Sequence, residues 1–529
     1  MVGWWQDVVK VTKNSLLLTT IKGVNRYFKS EYTFLKVWWL LCIGMLFVVA
    51  VWQVNDAFQE FLSRDTIVTI KDSELGQAGM NHPITFPAAT LCNMKPVHGA
   101  KNEKELFDYF MDVDKNISSL AKQRPLTTDD QSTLSELKTA AAFFQFLGKE
   151  KAKQYVQVAD NFLVDCVVTS DTPVVAYNCS DVGEIRTVQI PDYFSCFIIY
   201  IPPDMFSKIR PRKITAILNL DADDNYINPG TLESDMQESG AIATISSAIQ
   251  VPDFAYSSIR IQPGTNMVIN MALTLRLRLE NPYGDCTPPS GSNLSFAYSS
   301  IKIPYTKISC EEACRQTEVT KACQCFSADT KAVFDMNQTQ DFYCAGAYPN
   351  FDERFNKLKC SIEAMKSAKI RCLEACTRAC EELQVSTVVS SSTWPRSSQL
   401  ISFYNTYIDG QSFADSYAAY KEIEKKYLNT GNVSDTLDKL RKETTIPRNF
   451  AKVELKLSST QITTISDEIK VTELSILSTI ASLMNMYSGH DIIERGDWEK
   501  DLLTHSVSIV DNRRMVSMTS LSPLHRIAR

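Results

Sequence analysis

Fourteen of the fifteen cysteines in this chain follow one apolar stretch, and this distribution constrains the fold more than any other sequence feature. The stretch covers residues 37–54, reads VWWLLCIGMLFVVAVWQV and contains no charged residue; the remaining cysteine, Cys42, lies inside it. Disulfides form in oxidising compartments, and about 18 or more consecutive apolar residues are typical of a membrane span. The sequence therefore predicts a span near the N-terminus, followed by a large extracellular part.

The flanks of the stretch predict its orientation. Residues 1–36 are rich in lysine and arginine, whereas the downstream flank begins with Asn55, Asp56 and Glu60. Because the basic flank of a span stays in the cytosol, residues 1–36 are expected in the cytosol. The large part of the chain after the span is expected outside the cell, and the protein is expected in the plasma membrane. A signal peptide would start closer to the first residue. The N-x-S/T sequons all follow the span and are candidate glycosylation sites: Asn116, Asn178, Asn293, Asn337 and Asn432.

Composition excludes several classes of function. The net charge of −6 argues against a nucleic-acid partner, which a basic surface would favour. The sequence contains no phosphate-binding loop, no H-E-x-x-H motif and no G-x-S-x-G motif, so an enzyme is not expected. No cofactor and no metal site are predicted either.

Hydrophobic periodicity predicts an α+β fold with helices and strands in separate blocks. Helices are expected over residues 101–165, 310–383 and 412–443, with a capping box formed by Thr133 and Glu136. Alternating patterns predict strands at Thr66–Ile70, Ile185–Ile201, Met267–Leu279 and Val453–Leu457.

The cysteine spacing predicts a ladder of disulfides. Cys310 and Cys314 are four residues apart, and Cys372, Cys376 and Cys380 repeat every four residues, which on a helix would form one stripe. Two antiparallel elements with this spacing could be joined by Cys314–Cys372 and Cys310–Cys376, with Cys286–Cys380 beyond them. Zinc binding is the alternative, but zinc sites favour paired C-x2-4-C motifs and extracellular thiols oxidise. Spacing alone does not determine the connectivity.

Several motifs resemble the degenerin/epithelial sodium channel superfamily. Residues 85–93 read TFPAATLCN, and residues 281–286 read NPYGDC after the strand predicted at Met267–Leu279. Further along, SSTWP at 391–395 and FYN at 403–405 resemble elements of invertebrate FMRFamide peptide-gated members. The similarity extends from about residue 16 to residue 489.

The resemblance implies a trimeric, amiloride-sensitive, sodium-selective channel, built from identical or related subunits and opened by an extracellular ligand such as a neuropeptide. Each subunit would have two spans and an ectodomain of palm, β-ball, finger, thumb and knuckle. Tyr283 matches an aromatic residue that couples the thumb to the first span, against Phe58 or Phe61. The implied disulfides are Cys92–Cys196, Cys166–Cys179, Cys286–Cys380, Cys310–Cys376, Cys314–Cys372, Cys323–Cys360 and Cys325–Cys344.

The chain departs from the family pattern at two places. The cytosolic gating dipeptide His-Gly is replaced by Lys22-Gly23. At the second span, the selectivity-filter region corresponds to Ser488, Gly489, His490 and Asp491, and charged residues follow it. The uncharged run of residues 474–488 is shorter than the ~20 residues a spanning helix needs.

Two interpretations of this region remain open. Either an alternative exon or a frameshift has replaced the second span, or the subunit has a degenerate pore. The expected organisation is a cytosolic segment (1–36), a first span (37–54), an extracellular domain (55–473), the start of a degenerate second span (474–489) and a polar tail (490–529). The expected function is a subunit of a ligand-gated sodium channel. The alternative is a non-conducting truncated subunit or a single-span ligand-binding surface protein of the same family.

Overall fold

The structure is a computed structural model that describes residues 24–74, 86–171, 173–223, 238–246, 249–255, 257–288, 293–299, 301–334 and 342–488. The chain divides into two compact units. One comprises residues up to Ile67 together with those from Glu468 onward, and the other is Val68–Asp467.

Helices account for both ends of the described chain and for two blocks between them. The longer helices are α1 (Thr33–Leu62), α2 (Ala100–Gln123), α3 (Thr128–Glu136), α4 (Ala140–Leu147), α5 (Lys307–Cys323), α6 (Phe351–Ala375), α7 (Ala418–Thr430), α8 (Val433–Lys442) and α9 (Glu473–Ser488). Short α-helical segments are Val24–Lys29, Lys149–Ala152, Ala159–Phe162, Cys179–Val182, Pro203–Ile209, Leu400–Phe403 and Thr445–Asn449. Ser397–Gln399 and Ala414–Tyr417 are 3₁₀ segments, and Tyr404–Ile408 is a π segment.

Strands make up most of the larger unit. They are β1 (Thr66–Glu74), β2 (Ala88–Asn93), β3 (Leu163–Ser170), β4 (Ala176–Asn178), β5 (Glu184–Val188), β6 (Cys196–Tyr200), β7 (Pro211–Asn219), β8 (Ala241–Ser246), β9 (Ser258–Ile261), β10 (Thr265–Leu277), β11 (Leu294–Phe296), β12 (Ala332–Phe334), β13 (Glu381–Thr393), β14 (Phe450–Leu457) and β15 (Gln461–Ile469). The α+β fold that periodicity predicts is confirmed.

Two sheets enclose the main core of the larger unit. The first has the order β1-β15-β10-β14-β7-β3-β4, with β13 paired to β10, and the second has the order β5-β6-β2-β8-β9. Alternate residues of β10 are buried, as the leucine alternation predicts, and they pack in one cluster with Leu91 and Phe197 of the second sheet. Residues 88–93 of this motif therefore supply the central strand of the second sheet, and Phe86 just before them is fully buried.

Helices α2, α3 and α4 form a second core around aromatic side chains. Phe110, Phe143 and Phe144 are buried there, and Tyr298 packs edge-on against Phe144. The helices predicted within residues 101–165 thus enclose a packed core, and Phe355 of α6 belongs to the same apolar cluster.

Local details differ from the sequence prediction at several places, and strand β12 interrupts the block predicted as helical at residues 310–383. The capping box before α3 is formed by Thr127 and Asp130, not by Thr133 and Glu136, because Thr133 lies inside the helix and donates to Asp129 O. Ile185–Ile201 is two strands, β5 and β6, which pair with each other. The helical stripe of cysteines ends early, because α6 ends at Ala375 and Cys380 directly precedes β13.

Helix α1 stands out in the smaller unit. It has 30 residues and no buried side chain, and at about 1.5 Å per residue it extends ~45 Å, enough to cross a hydrocarbon core of ~30 Å. Among the described residues it is the one helix that is long and apolar enough to span a membrane. It contains the whole predicted span of residues 37–54.

Candidate functional site

Helices α5 and α6 are fastened together by disulfides. Cys310–Cys376 and Cys314–Cys372 are successive rungs, with Cα–Cα distances of 5.9 and 5.7 Å. The structure joins the same seven pairs that the family resemblance implies: Cys92–Cys196, Cys166–Cys179, Cys286–Cys380, Cys310–Cys376, Cys314–Cys372, Cys323–Cys360 and Cys325–Cys344. Cys42 is the free cysteine, and it lies in α1. Among the described residues no group of three or more potential ligands could hold a metal ion.

The chain that follows the C-terminal end of α6 is attached to the turn at residues 281–286. Beyond α6, Cys380 is bonded to Cys286, and Thr287 forms a bridge with Ala379. The hydroxyls of Thr287 and Thr377 lie 2.6 Å apart. Movement of α6 would therefore be transmitted directly to this turn.

The turn itself has a tight backbone. The backbone N–H groups of Tyr283 and Gly284 both donate to the carbonyl of Glu280 at 3.1 Å. A Cβ atom at Gly284 would lie 2.1 Å from the Leu279 carbonyl oxygen, so no other residue fits without moving the backbone. Tyr283 is half-buried beside it, and its coupling to Phe58 or Phe61 stays a prediction.

In the smaller unit, an ion pair joins the last turn of α1 to the chain segment that precedes α9. Lys470 Nζ lies 3.0 Å from the Glu60 carboxylate, and its backbone N–H donates to the Asp65 carbonyl at 3.1 Å. The hydrogen bond with Glu60 raises the pKa of the Lys470 ammonium group. Helices α1 and α9 also lie against each other. The sequence analysis missed this contact, because nothing in the local pattern pairs residues 60 and 470.

Most residues predicted for gating and selectivity are not placed by the structure. Lys22, Gly23, Gly489, His490 and Asp491 lie outside the described residues. Ser488 is the last residue of α9.

The predicted sequons differ in accessibility. Asn178, Asn293 and Asn432 are exposed, and Asn116 is half-buried on α2. Asn337 lies outside the described residues.

Asp130 connects the α2–α3 corner to α6, and the sequence analysis did not identify it. Its carboxylate accepts hydrogen bonds from Lys359 Nζ at 2.8 Å and from Arg124 Nη1 at 3.0 Å, and the side chain is fully buried. The hydrogen bond from Lys359 is the main reason that the pKa of this carboxyl lies well below its usual range. A buried carboxylate shared by two cations holds the two elements in register.

A buried arginine reinforces the same junction. The Arg354 guanidinium of α6 lies 5.5 Å from the ring centroid of Tyr109 and 5.4 Å from that of Phe146, which belong to α2 and α4. Phe351 of α6 is a third ring, at 5.3 Å. Desolvated cation–π contacts of this kind stabilise by ~1–2 kcal/mol. Helix α6 is thus attached to the α2–α4 block at one end and to the residue 281–286 turn at the other.

Comparison with known proteins identifies the family. The sequence profile described as "Amiloride-sensitive sodium channel" matches residues 16–492. The FMRFamide-activated amiloride-sensitive sodium channel of Cornu aspersum is 22% identical over 60% of this chain and 48% of its own length. Epithelial sodium channel subunit gamma-2 of Xenopus laevis is 28% identical over 26% of this chain and 19% of its own.

This chain spans about half the length of the Cornu aspersum channel and about a fifth of the length of the Xenopus laevis subunit. A solved proton-activated chloride channel covers 85% of this chain and 93% of its own, at 5% identity and a TM-score of 0.29. The profile match nevertheless covers nearly the whole chain. The chain belongs to the amiloride-sensitive sodium channel family, a family of ion channels and not of enzymes.

Proposed function

We propose that this chain is a subunit of an amiloride-sensitive sodium channel of the plasma membrane that is opened by an extracellular neuropeptide. The family match over residues 16–492 carries the proposal. The peptide ligand is supported by the name of the Cornu aspersum relative, which is activated by FMRFamide. The attachment of α6 to the turn at residues 281–286 supplies a path for a signal through the ectodomain.

The proposed topology has residues 1–36 in the cytosol, a first span at 37–54, an extracellular domain at 55–473, a second membrane segment beginning at 474–489 and a polar tail at 490–529. The length and composition of α1 support the first span. The seven disulfides of the region between α1 and α9 support an oxidising environment for it.

Three groups of residues are proposed to act in conduction and gating. Ser488–Asp491 would occupy the selectivity position, where His490 and Asp491 stand in place of small residues. Gly23 would provide backbone freedom at the cytosolic gate beside Lys22. Tyr283 would couple the ectodomain to the first span. The channel would assemble as a trimer of identical or related subunits and conduct sodium ions.

The proposal is tested by sodium uptake in cells that express the full chain, alone or with related subunits. FMRFamide should stimulate uptake of radioactive sodium, and amiloride should block the stimulated part. Normal surface expression without peptide-stimulated, amiloride-blocked uptake in either setting would reject the proposal.

A second candidate is a non-conducting, single-span member of the family. It is favoured by the charges that follow α9 in the sequence, since Asp491, Glu494 and Arg495 would each cost ~2.5–3.5 kcal/mol near the bilayer centre. An epitope tag after Arg529 distinguishes the two. Detection on intact cells supports the single-span form, and detection only after permeabilisation supports two spans.

A further inference from the structure

A cavity of about 970 Å³ lies between the helical block and the disulfide-linked helix pair. Three elements form it: the C-terminal half of α2, the end of α5 and the beginning of α6. Its volume lies at the upper end of the ~300–1,000 Å³ that is usual for ligand sites. All of its lining belongs to the larger unit.

The walls of the cavity are held in place by strong contacts. The Cys323–Cys360 disulfide forms part of the lining and links the end of α5 to α6. Lys357 Nζ donates to the Cys323 carbonyl at 2.7 Å, so this ammonium group is already engaged within the wall. Just behind the lining, the Lys359–Asp130 hydrogen bond joins α6 to the α2–α3 corner. The cavity is therefore preformed, which reduces the entropy cost of binding.

The lining is polar, and its charge is negative. Asp352 and Glu353 are exposed, and among the described residues neither carboxylate is engaged in a salt bridge. Side-chain amides line the cavity at Asn116, Gln123, Gln324, Asn350 and Asn356. Those of Gln123, Gln324 and Asn356 can pair with the N–H and C=O groups of a peptide backbone, whereas Asn116 is also a candidate glycosylation site. Apolar side chains at Leu120, Ala322, Pro349 and Phe351 complete the surface.

We propose that this cavity binds the activating ligand and that the ligand is a short cationic peptide with an apolar side chain. This inference rests on the proposed peptide gating. FMRFamide has the required chemistry, because it carries an N-terminal ammonium, one guanidinium, no carboxylate and two aromatic rings. Its cationic groups would face Asp352 and Glu353, and its backbone would pair with the amides. Binding would act on the first turns of α6, whose other end is attached to the turn that carries Tyr283.

The first experiment maps the site directly. Cells expressing the full chain are irradiated with an FMRFamide analogue in which benzoylphenylalanine replaces the C-terminal phenylalanine, and the labelled tryptic peptides are identified by mass spectrometry. Label should appear within residues 116–123 or 349–360, and excess FMRFamide should suppress it. Suppressible label confined to other parts of the ectodomain would overturn the inference.

The second experiment tests the charge pairing. Glu353→Gln should weaken binding of FMRFamide about three- to fivefold, as expected for a partly exposed ion pair, measured by displacement of a labelled peptide. It should have little effect on an analogue with citrulline in place of arginine and an acetylated N-terminus. Glu363→Gln, at an exposed position of α6 outside the cavity, is the matched control.

The outcomes separate the inference from the proposed function. If FMRFamide binds but Glu353→Gln affects both peptides equally, or neither of them, the cavity is not the site although peptide recognition stands. If FMRFamide neither binds nor stimulates sodium uptake, peptide gating fails and this inference fails with it.

Discussion

At the residue scale, burial decides which polar side chains matter, and the sequence does not reveal it. The alternation in β14 correctly predicts Val453, Leu455 and Leu457 in the core, with Glu454 on the opposite, polar face. In the structure Glu454 is only 7% exposed, between Lys452 and Lys456 at 2.8 Å each. The difference arises because β14 is flanked by β7 and β10, which no local pattern specifies.

The Glu454 carboxylate predicts a pH-dependent stability. Burial raises the pKa of this carboxyl, but the hydrogen bonds from Lys452 and Lys456 outweigh burial and lower the pKa to about 2. Because the folded pKa lies below the unfolded value of ~4.3, the stabilisation is complete above pH ~5 and is lost as the pH falls toward 2. Glu454→Gln should lower the free energy of unfolding at pH 7 by ~2 kcal/mol.

Thermal unfolding of the purified full chain measures this effect. The difference in the free energy of unfolding between wild type and Glu454→Gln should shrink by about half or more between pH 7 and pH 3. Glu363→Gln should leave the free energy of unfolding nearly unchanged at both pH values, since Glu363 is exposed on α6. A difference that is constant with pH would contradict the assignment.

Gly284 provides a second test at the same scale. Its missing side chain lets the Leu279 carbonyl approach, and Gly284→Ala should distort the turn, destabilise the fold by ~1–3 kcal/mol and reduce the surface level of the protein. Gly44→Ala is the control, because a Cβ atom there meets nothing within 4 Å. Equal surface levels for both variants would show that the turn tolerates a side chain.

At the element scale, the cysteine spacing predicts the disulfides between α5 and α6 correctly, but it does not predict where α6 ends. The four-residue repeats of Cys310 with Cys314 and of Cys372 with Cys376 match two rungs of an antiparallel pair. Cys380 follows the same repeat but lies beyond α6, where the chain turns into β13. The role of Asp130 is not predictable from the sequence, because the residues around it do not indicate that its partner is Lys359, which lies far away along the chain.

The ladder predicts unequal costs for removing disulfides. On the chain-entropy model one rung contributes ~3–4 kcal/mol, but a neighbouring rung already restrains the same segment. Replacing Cys314 and Cys372 by serine should therefore lower the melting temperature less than half as much as replacing both rungs, Cys310–Cys376 included.

Melting temperatures of the three proteins under non-reducing conditions provide the comparison. If removing the Cys314–Cys372 rung alone lowers the melting temperature by half as much as removing both rungs, or by more, the rungs do not share their restraint.

At the scale of the whole molecule, fold and family were predictable from the sequence, and assembly was not. The motifs at residues 85–93 and 281–286 are local, so they identify the family without an alignment. Assembly depends on surfaces that meet between subunits, and the proposed ligand cavity has walls from α2, α5 and α6, so no local sequence pattern specifies either of them.

Glycosylation at Asn432 tests the orientation. Asn432 is exposed, and its Oδ1 accepts the backbone N–H of Asp435 as the cap of α8. Ser434→Ala removes the sequon but keeps this cap, so it should abolish one glycan without unfolding the helix. Ser434→Thr should retain the glycan.

Electrophoretic mobility before and after glycosidase treatment measures the result. If neither the wild type nor Ser434→Thr is glycosylated at Asn432, the extracellular placement of this helix is contradicted.

The most direct test of the central claim is the ionic selectivity of a peptide-evoked current. The full chain, alone and with related subunits, is expressed and recorded in excised outside-out patches, and FMRFamide is applied to the outer face. We expect an amiloride-blocked current whose reversal potential follows the sodium equilibrium potential when external sodium is replaced by a large organic cation. A peptide-evoked current whose reversal potential ignores sodium, or no peptide-evoked current from protein that is present at the surface in either setting, would contradict it.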